Sequence, residues 1–184
     1  MSGIANSALA RGLTQATGRL AHLLGTTYKF PNFRSLTAQA PNDGRDVYMK
    51  LVKNGEASTA ILPGSLCAWK TALHGNTVVL PAATAGVQIC GIADFLMPAA
   101  GAAAAYDFWM IVLGPCRFLL DANAGCTEGD CLINSASVAG CIRTGTTSGA
   151  IVGRSEATAL AGGGAIGTAT TMYGFFGAAG QVSL

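Results

Sequence analysis

From Arg45 to the C-terminus the chain alternates between short runs of β-branched, aromatic and other apolar residues and clusters of turn residues. Such runs predict strands. They fall at Val47 to Val52, Ser65 to Trp69, Thr77 to Leu80, Val87 to Phe95, Tyr106 to Leu113, Cys116 to Asp121, Cys131 to Asn134, Val138 to Arg143, Ala150 to Arg154, Met172 to Phe176 and Gln181 to Leu184. Between them Asn54-Gly55, Pro63-Gly64, His74-Gly75-Asn76, Gly114-Pro115, Ala124-Gly125 and Glu128-Gly129-Asp130 predict turns, because glycine supplies positive φ and proline fixes φ. Phe108 to Leu113 does not alternate, so both of its faces need cover and it is predicted to be the central strand. Gln181-Val182-Ser183-Leu184 does alternate, as a closing strand would. The spacing predicts an all-β body, a sandwich or a barrel, over residues 45–184.

Residues 1–44 follow another pattern and are read as an N-terminal arm, partly helical and partly extended. Leu9, Leu13, Ala16, Leu20, Leu23 and Leu24 have helical spacing, but Gly12 and Gly18 each cost about 1 kcal/mol relative to alanine. A helix there is marginal alone; it either orders on a partner or packs on its own domain. From Thr27 to Asn42, Pro31 and Pro41 favour an extended strap on which Tyr28, Phe30 and Phe33 offer aromatic anchors.

Composition turns attention to partners. Charged residues make up 11% of the chain and apolar ones 51%, where an average soluble domain has about 25% charged residues. So little charge implies a surface covered in a permanent assembly. The charge is also divided: residues 1–53 carry net +5 and the remainder net −3. A basic segment on a mildly acidic body reads as an arm docking on an acidic neighbour. Seven basic residues over 53 positions are too dilute for phosphate recognition, which favours a protein over nucleic acid. The candidate contacts are Arg11, Arg19, Lys29 and Arg34 with Tyr28, Phe30 and Phe33. The longest apolar stretch, Phe95 to Leu120, is broken by Pro98, Asp107, Pro115 and Arg117, so no membrane helix is expected. The N-terminus lacks an apolar signal core, which points to folding in a cytoplasm.

Reactive chemistry is sparse. The six cysteines, at 67, 90, 116, 126, 131 and 141, form no CxxC pair and have no histidines at zinc spacing. Cys90 and Cys116 lie in apolar runs and read as reduced core residues, while Cys126 and Cys131 flank a loop that a bridge could close. His22 and His74 stand without a nucleophile signature. Gly162 to Gly167 fits GxGxxG but lacks the strand before it and the helix after it; Gly149 to Ser155 has Arg154 in place of a phosphate-loop lysine; Asp121 to Gly125 lacks the closing ligands of a calcium loop. Asp94, Asp107 and Asp121 each sit near the end of an apolar run, where paired carboxylates could do acid–base work but solvated strand ends explain them at least as well. No catalytic, cofactor or metal site is expected, and the chain does not read as an enzyme.

The order of features in the body completes the reading. Val87 to Asp94 is followed by a Gly/Ala loop, then Phe108 to Leu113 with Gly114-Pro115, then Arg117 to Leu120. The turn Glu128-Gly129-Asp130, a Ser/Thr/Gly loop, Ile151 to Ala157 and a last strand to Leu184 follow. This order resembles the capsid decoration, or cement, proteins of tailed phages over roughly residues 45 to 184. The resemblance implies a compact β-barrel-like or β-tulip-like domain, clustered as homotrimers in preference to dimers, that clamps major capsid protein subunits. It places the protein on the capsid surface of a virion assembled in a host cytoplasm. A carbohydrate- or receptor-binding β-module of a tail or fibre is the alternative, which exposed aromatic platforms would favour.

Overall fold

The computed structural model describes residues 14–16, 21–30, 46–70, 75–82, 89–121, 126–127, 129–145, 151–155 and 171–177, and over these the protein is all-β. The strands are β1 (Thr14–Gln15), β2 (Thr27–Phe30), β3 (Val47–Asn54), β4 (Leu66–Trp69), β5 (Thr77–Val79) and β6 (Ile89–Ala93). After them come β7 (Asp107–Leu119), β8 (Cys131–Asn134), β9 (Ile142–Thr144), β10 (Ile151–Ser155) and β11 (Thr171–Gly177). All pair into one 11-stranded sheet in the order β2-β3-β5-β4-β6-β7-β11-β10-β8-β9, with β1 on β7.

That sheet closes on itself. β7 pairs with β6 and also returns to β3, where Leu51 faces Trp109 and Lys53 faces Asp107. The cycle β3-β5-β4-β6-β7 is therefore a five-stranded barrel, mixed because β3 and β5 run parallel while the other pairs are antiparallel. Closure satisfies the backbone groups that an open edge would leave unpaired.

Alternation along β7 explains why its sequence is apolar without a break. Side chains of successive strand residues point to opposite faces. Phe108 and Met110 join Val52, Cys67, Val78 and Ala93, so every barrel strand contributes to one cluster: the barrel interior, completed by Ile61, Met97 and Ala102. Trp109 and Ile111 point the other way, into a second core with Phe30, Met49, Leu51, Phe118, Leu132, Val152 and Phe176. The expectation that Phe108 to Leu113 lies centrally with both faces covered is met.

Several local expectations differ from what is observed. Gly114-Pro115 is not a turn: β7 runs through both to Leu119, paired with β3 as far as Leu113 and with β11 from Leu113 onward. Pro115 has no N–H to give, and it sits just beyond the last β3 pairing, where a missing donor costs least. Within the stretch of helical spacing, Thr14–Gln15 is extended and pairs with β7, and Ala21–Leu23 is a single 3-10 turn. Leu23 and Leu24 pack on the second core, so tertiary contact overrides a helix already weakened by glycine. The strap begins as β2, paired with β3; the rest of it lies outside the described residues, as do Arg11, Arg19, Phe33, Arg34, His74, the GxGxxG segment and Gln181 to Leu184.

The three aspartates are not solvated strand ends. Asp94, Asp107 and Asp121 are all buried. The six cysteines are free thiols, so Cys126 and Cys131 are unbridged.

Candidate docking surface

β2 stands at one end of the sheet order, so one of its backbone edges has no partner strand among the described residues. Its first three residues are exposed and the fourth is buried. The alternation of Thr27-Tyr28-Lys29-Phe30 makes it a strand, and the antiparallel register with β3 sets Tyr28 against Met49, Lys29 against Tyr48 and Phe30 against Val47. Of the seven proposed contact residues the structure brings together Tyr28, Lys29 and Phe30.

These three divide their tasks. Phe30 is only 8% exposed and turns inward, edge-on to Trp109. Tyr28, 40% exposed, lies edge-on to Phe30 with centroids 4.8 Å apart, so its ring is held in place while much of it faces solvent. Lys29 forms an ion pair of 2.6 Å with Asp46. The hydrogen bond to that carboxylate, with its charge, raises the lysine pKa above its ordinary value. Both partners are substantially exposed, so the pair contributes orientation more than stability.

The surface continues onto β3 through residues that sequence reasoning missed. Tyr48 and Lys50 are two apart on one strand and so share a face. Tyr48 is 37% exposed, with the Lys29 ammonium 6.0 Å from its ring centroid. The Lys50 ammonium sits 4.7 Å over the Trp69 ring. Lys29, Tyr48, Lys50 and Trp69 thus form a strip of alternating cationic and aromatic groups. The signal was present in Val47-Tyr48-Met49-Lys50, where the apolar positions alternate with Tyr48 and Lys50. Two further exposed large hydrophobic residues, Leu96 and Tyr106, lie on the loop between β6 and β7.

Elsewhere polar side chains are spent on holding loops. Asn54, fully buried, donates to the carbonyls of Thr59 and Ala102 and accepts from the Glu56 N–H. Beside it is a cleft of about 430 Å³ lined in part by Lys53, Glu56, Lys70 and Thr77. There Lys70 donates to the Gly55 carbonyl at 2.6 Å and Glu56 accepts from the Leu80 N–H at 2.8 Å. Asp121 accepts from the hydroxyls of Ser135 and Ser137. No group of three or more His, Cys, Asp or Glu able to hold a metal occurs among the described residues.

No family model matches the sequence, and no curated protein matches it. A solved structure described as the capsid of Myoviridae phage XM1 contains a chain that superposes with a TM-score of 0.50 at 13% identity. The correspondence covers 80% of this chain and 97% of that one, so this protein shares the fold of a chain in that phage capsid, and the shared fold makes up nearly all of that chain.

Proposed function

We propose that the protein is a phage capsid decoration, or cement, protein that binds the outer face of the shell, bridges major capsid protein subunits and stabilises the particle. The observation that carries this reading is the fold shared with almost the whole of a chain in the phage XM1 capsid. The low charge content supports the same reading, because a body with 11% charged residues gains from having its faces covered. The mechanism is adhesive: a protein that binds only the assembled shell stabilises it by its binding free energy, which must be lost before neighbouring capsomers separate.

Docking through the β2 edge uses what the strand displays. Its outer backbone edge, unpaired among the described residues, accepts a strand from a partner, Tyr28 and Tyr48 supply apolar area held in fixed orientation, and Lys29 and Lys50 improve encounter with an acidic capsid surface. A homotrimer would bury further faces of the body.

The test compares particles with and without this protein by cryo-electron microscopy and by heat resistance. Density as multimers on the outer shell, with lower heat resistance in its absence, is the expected result. Density on the tail, or absence from particles, overturns the proposal and favours the carbohydrate- or receptor-binding alternative.

A further inference from the structure

The Cys90 thiol meets the Cys67 carbonyl and the Met110 thioether at an irregularity in the barrel wall. β4 and β6 pair with Cys67 opposite Gly91 and Ala68 opposite Ile89, so Cys90 is an extra residue on β6. Such a bulge places two residues against one and re-aims a side chain. Cys90 accordingly packs against the barrel-interior cluster to which Cys67 belongs. Its thiol donates to the Cys67 carbonyl at 3.3 Å, and its sulfur lies 3.8 Å from the Met110 sulfur. The adjacent Gly91 leaves that space open, since a Cβ there would come within 2.6 Å of the Met110 sulfur. Cys67 is buried and Cys90 is partly exposed, so the pair has one member that a small reagent can reach.

We propose that Cys67 and Cys90 are the site of a disulfide cross-link between β4 and β6, formed by exchange with a low-molecular-weight disulfide such as glutathione disulfide. A bridge requires Cα atoms about 4.4–6.8 Å apart. Facing residues of neighbouring antiparallel strands stand about 4.5–5.5 Å apart, and the bulge sets Cys90 next to the residue that faces Cys67. In the first step Cys90 loses its proton and its thiolate attacks one sulfur of glutathione disulfide, expelling a glutathione thiolate. In the second, Cys67 loses its proton and attacks the Cys90 sulfur of the mixed disulfide, expelling the second glutathione thiolate. Two protein thiols are oxidised, one glutathione disulfide is reduced to two thiols, and the two protons pass to the departing thiolates.

Burial governs the rate. It pushes the Cys90 thiol up to about 12 and Cys67 well above its ordinary value, while the Lys50 ammonium favours the Cys90 thiolate. Exchange is therefore slow at neutral pH and accelerates as pH rises. Once formed, the bridge fastens two adjacent staves of the barrel.

The experiment incubates the folded full chain at mildly alkaline pH with glutathione disulfide or with reduced glutathione. Remaining thiols are blocked with N-ethylmaleimide in denaturant, and the digest is analysed by mass spectrometry. Expected after oxidation is a pair of peptides joined through Cys67 and Cys90, lighter by two hydrogens than the free pair, with a higher thermal midpoint than the reduced protein. The Cys90→Ser variant, if it folds, should show neither. If it does not fold, the wild-type peptide map alone decides. Full maleimide labelling of both cysteines after oxidation, a stable glutathione adduct on Cys90, or bridges from either residue to other cysteines would overturn the assignment.

Discussion

Phe30 meets Trp109 edge to face, with ring centroids 5.3 Å apart, and this contact fastens the outermost strand of the sheet to the central one. Edge-to-face pairs add about 0.5–1.5 kcal/mol beyond the area they bury. Replacing Phe30 by alanine should therefore cost about 3 kcal/mol, toward the lower end for a buried phenylalanine because the residue lies at the margin of the core. Tyr28→Ala, at a residue 40% exposed that touches the core through Phe30, should cost less, about 1 kcal/mol. Urea unfolding of both variants checks the difference; equal losses would mean that Phe30 does not anchor β2. In a rebinding assay on stripped particles the order should reverse for a folded Tyr28→Ala protein, which keeps its stability and loses affinity.

Asp107 carries a different kind of cost. Both of its carboxylate oxygens are buried without a hydrogen-bond partner among the described residues, between Lys53 on β3 and Gln15 on β1. Burial raises its pKa above the ordinary 3.8, and the Lys53 ammonium opposes the rise. Because the folded state holds the proton more tightly than the unfolded state, stability should fall as pH rises from the ordinary carboxylate range through the raised pKa. Above that it should stay level. Asp107→Asn should flatten this segment and raise stability at neutral pH, because the buried group no longer ionises. Thermal midpoints of the two proteins across the acid range measure it, and parallel curves would rule the explanation out.

Part of this architecture is legible in the sequence because it is local. The limits of β8, Cys131–Asn134, agree with the run as read, and the unbroken apolar stretch from Phe108 identifies the central strand since only a strand covered on both faces tolerates it. Barrel closure is not local: Leu51 meets Trp109 across a long separation in the chain, and nothing in either run specifies the other. Asp107 misleads for the same reason, because a carboxylate at the end of an apolar run looks solvated until β1 is seen to lie beside it. At the candidate surface, the aromatic and basic types identify Tyr28 and Lys29 as exposed, but Phe30 is claimed by Trp109. Tyr48 and Lys50 escape notice because a run read for its core residues hides what the other face displays.

The turn between β8 and β9 hangs on one hydroxyl. Ser135 Oγ donates to Asp121 and accepts from the N–H groups of Ser137 and Val138, each at 3.1 Å. Ser137 Oγ donates to the same Asp121 oxygen at 2.7 Å. Ser135→Ala removes a donor from a buried carboxylate and the acceptor from two backbone groups, so it should cost about 1–3 kcal/mol, and more than Ser137→Ala. Hydrogen exchange should show the loss as faster exchange in β8 and β9. Unchanged protection there, with the whole protein destabilised, would argue against a local role.

Gly114 is where β7 passes from its pairing with β3 to its pairing with β11, and its backbone explains why an apparent turn signal lies inside a strand. Its φ of 122° is in a region that side chains other than hydrogen rarely adopt. A Cβ would stand 2.7 Å from the Asp46 carbonyl oxygen, a backbone atom that cannot swing aside as a side chain can. Gly129 also has positive φ, 89°, but nothing within 4 Å of an added Cβ. Gly114→Ala should therefore cost at least about 2 kcal/mol from strain and overpacking together, and Gly129→Ala about 1 kcal/mol from strain alone. If denaturation finds the two substitutions equivalent, the close approach of Asp46 is not what requires glycine, and the passage through Gly114-Pro115 owes its shape to the dihedral angle alone.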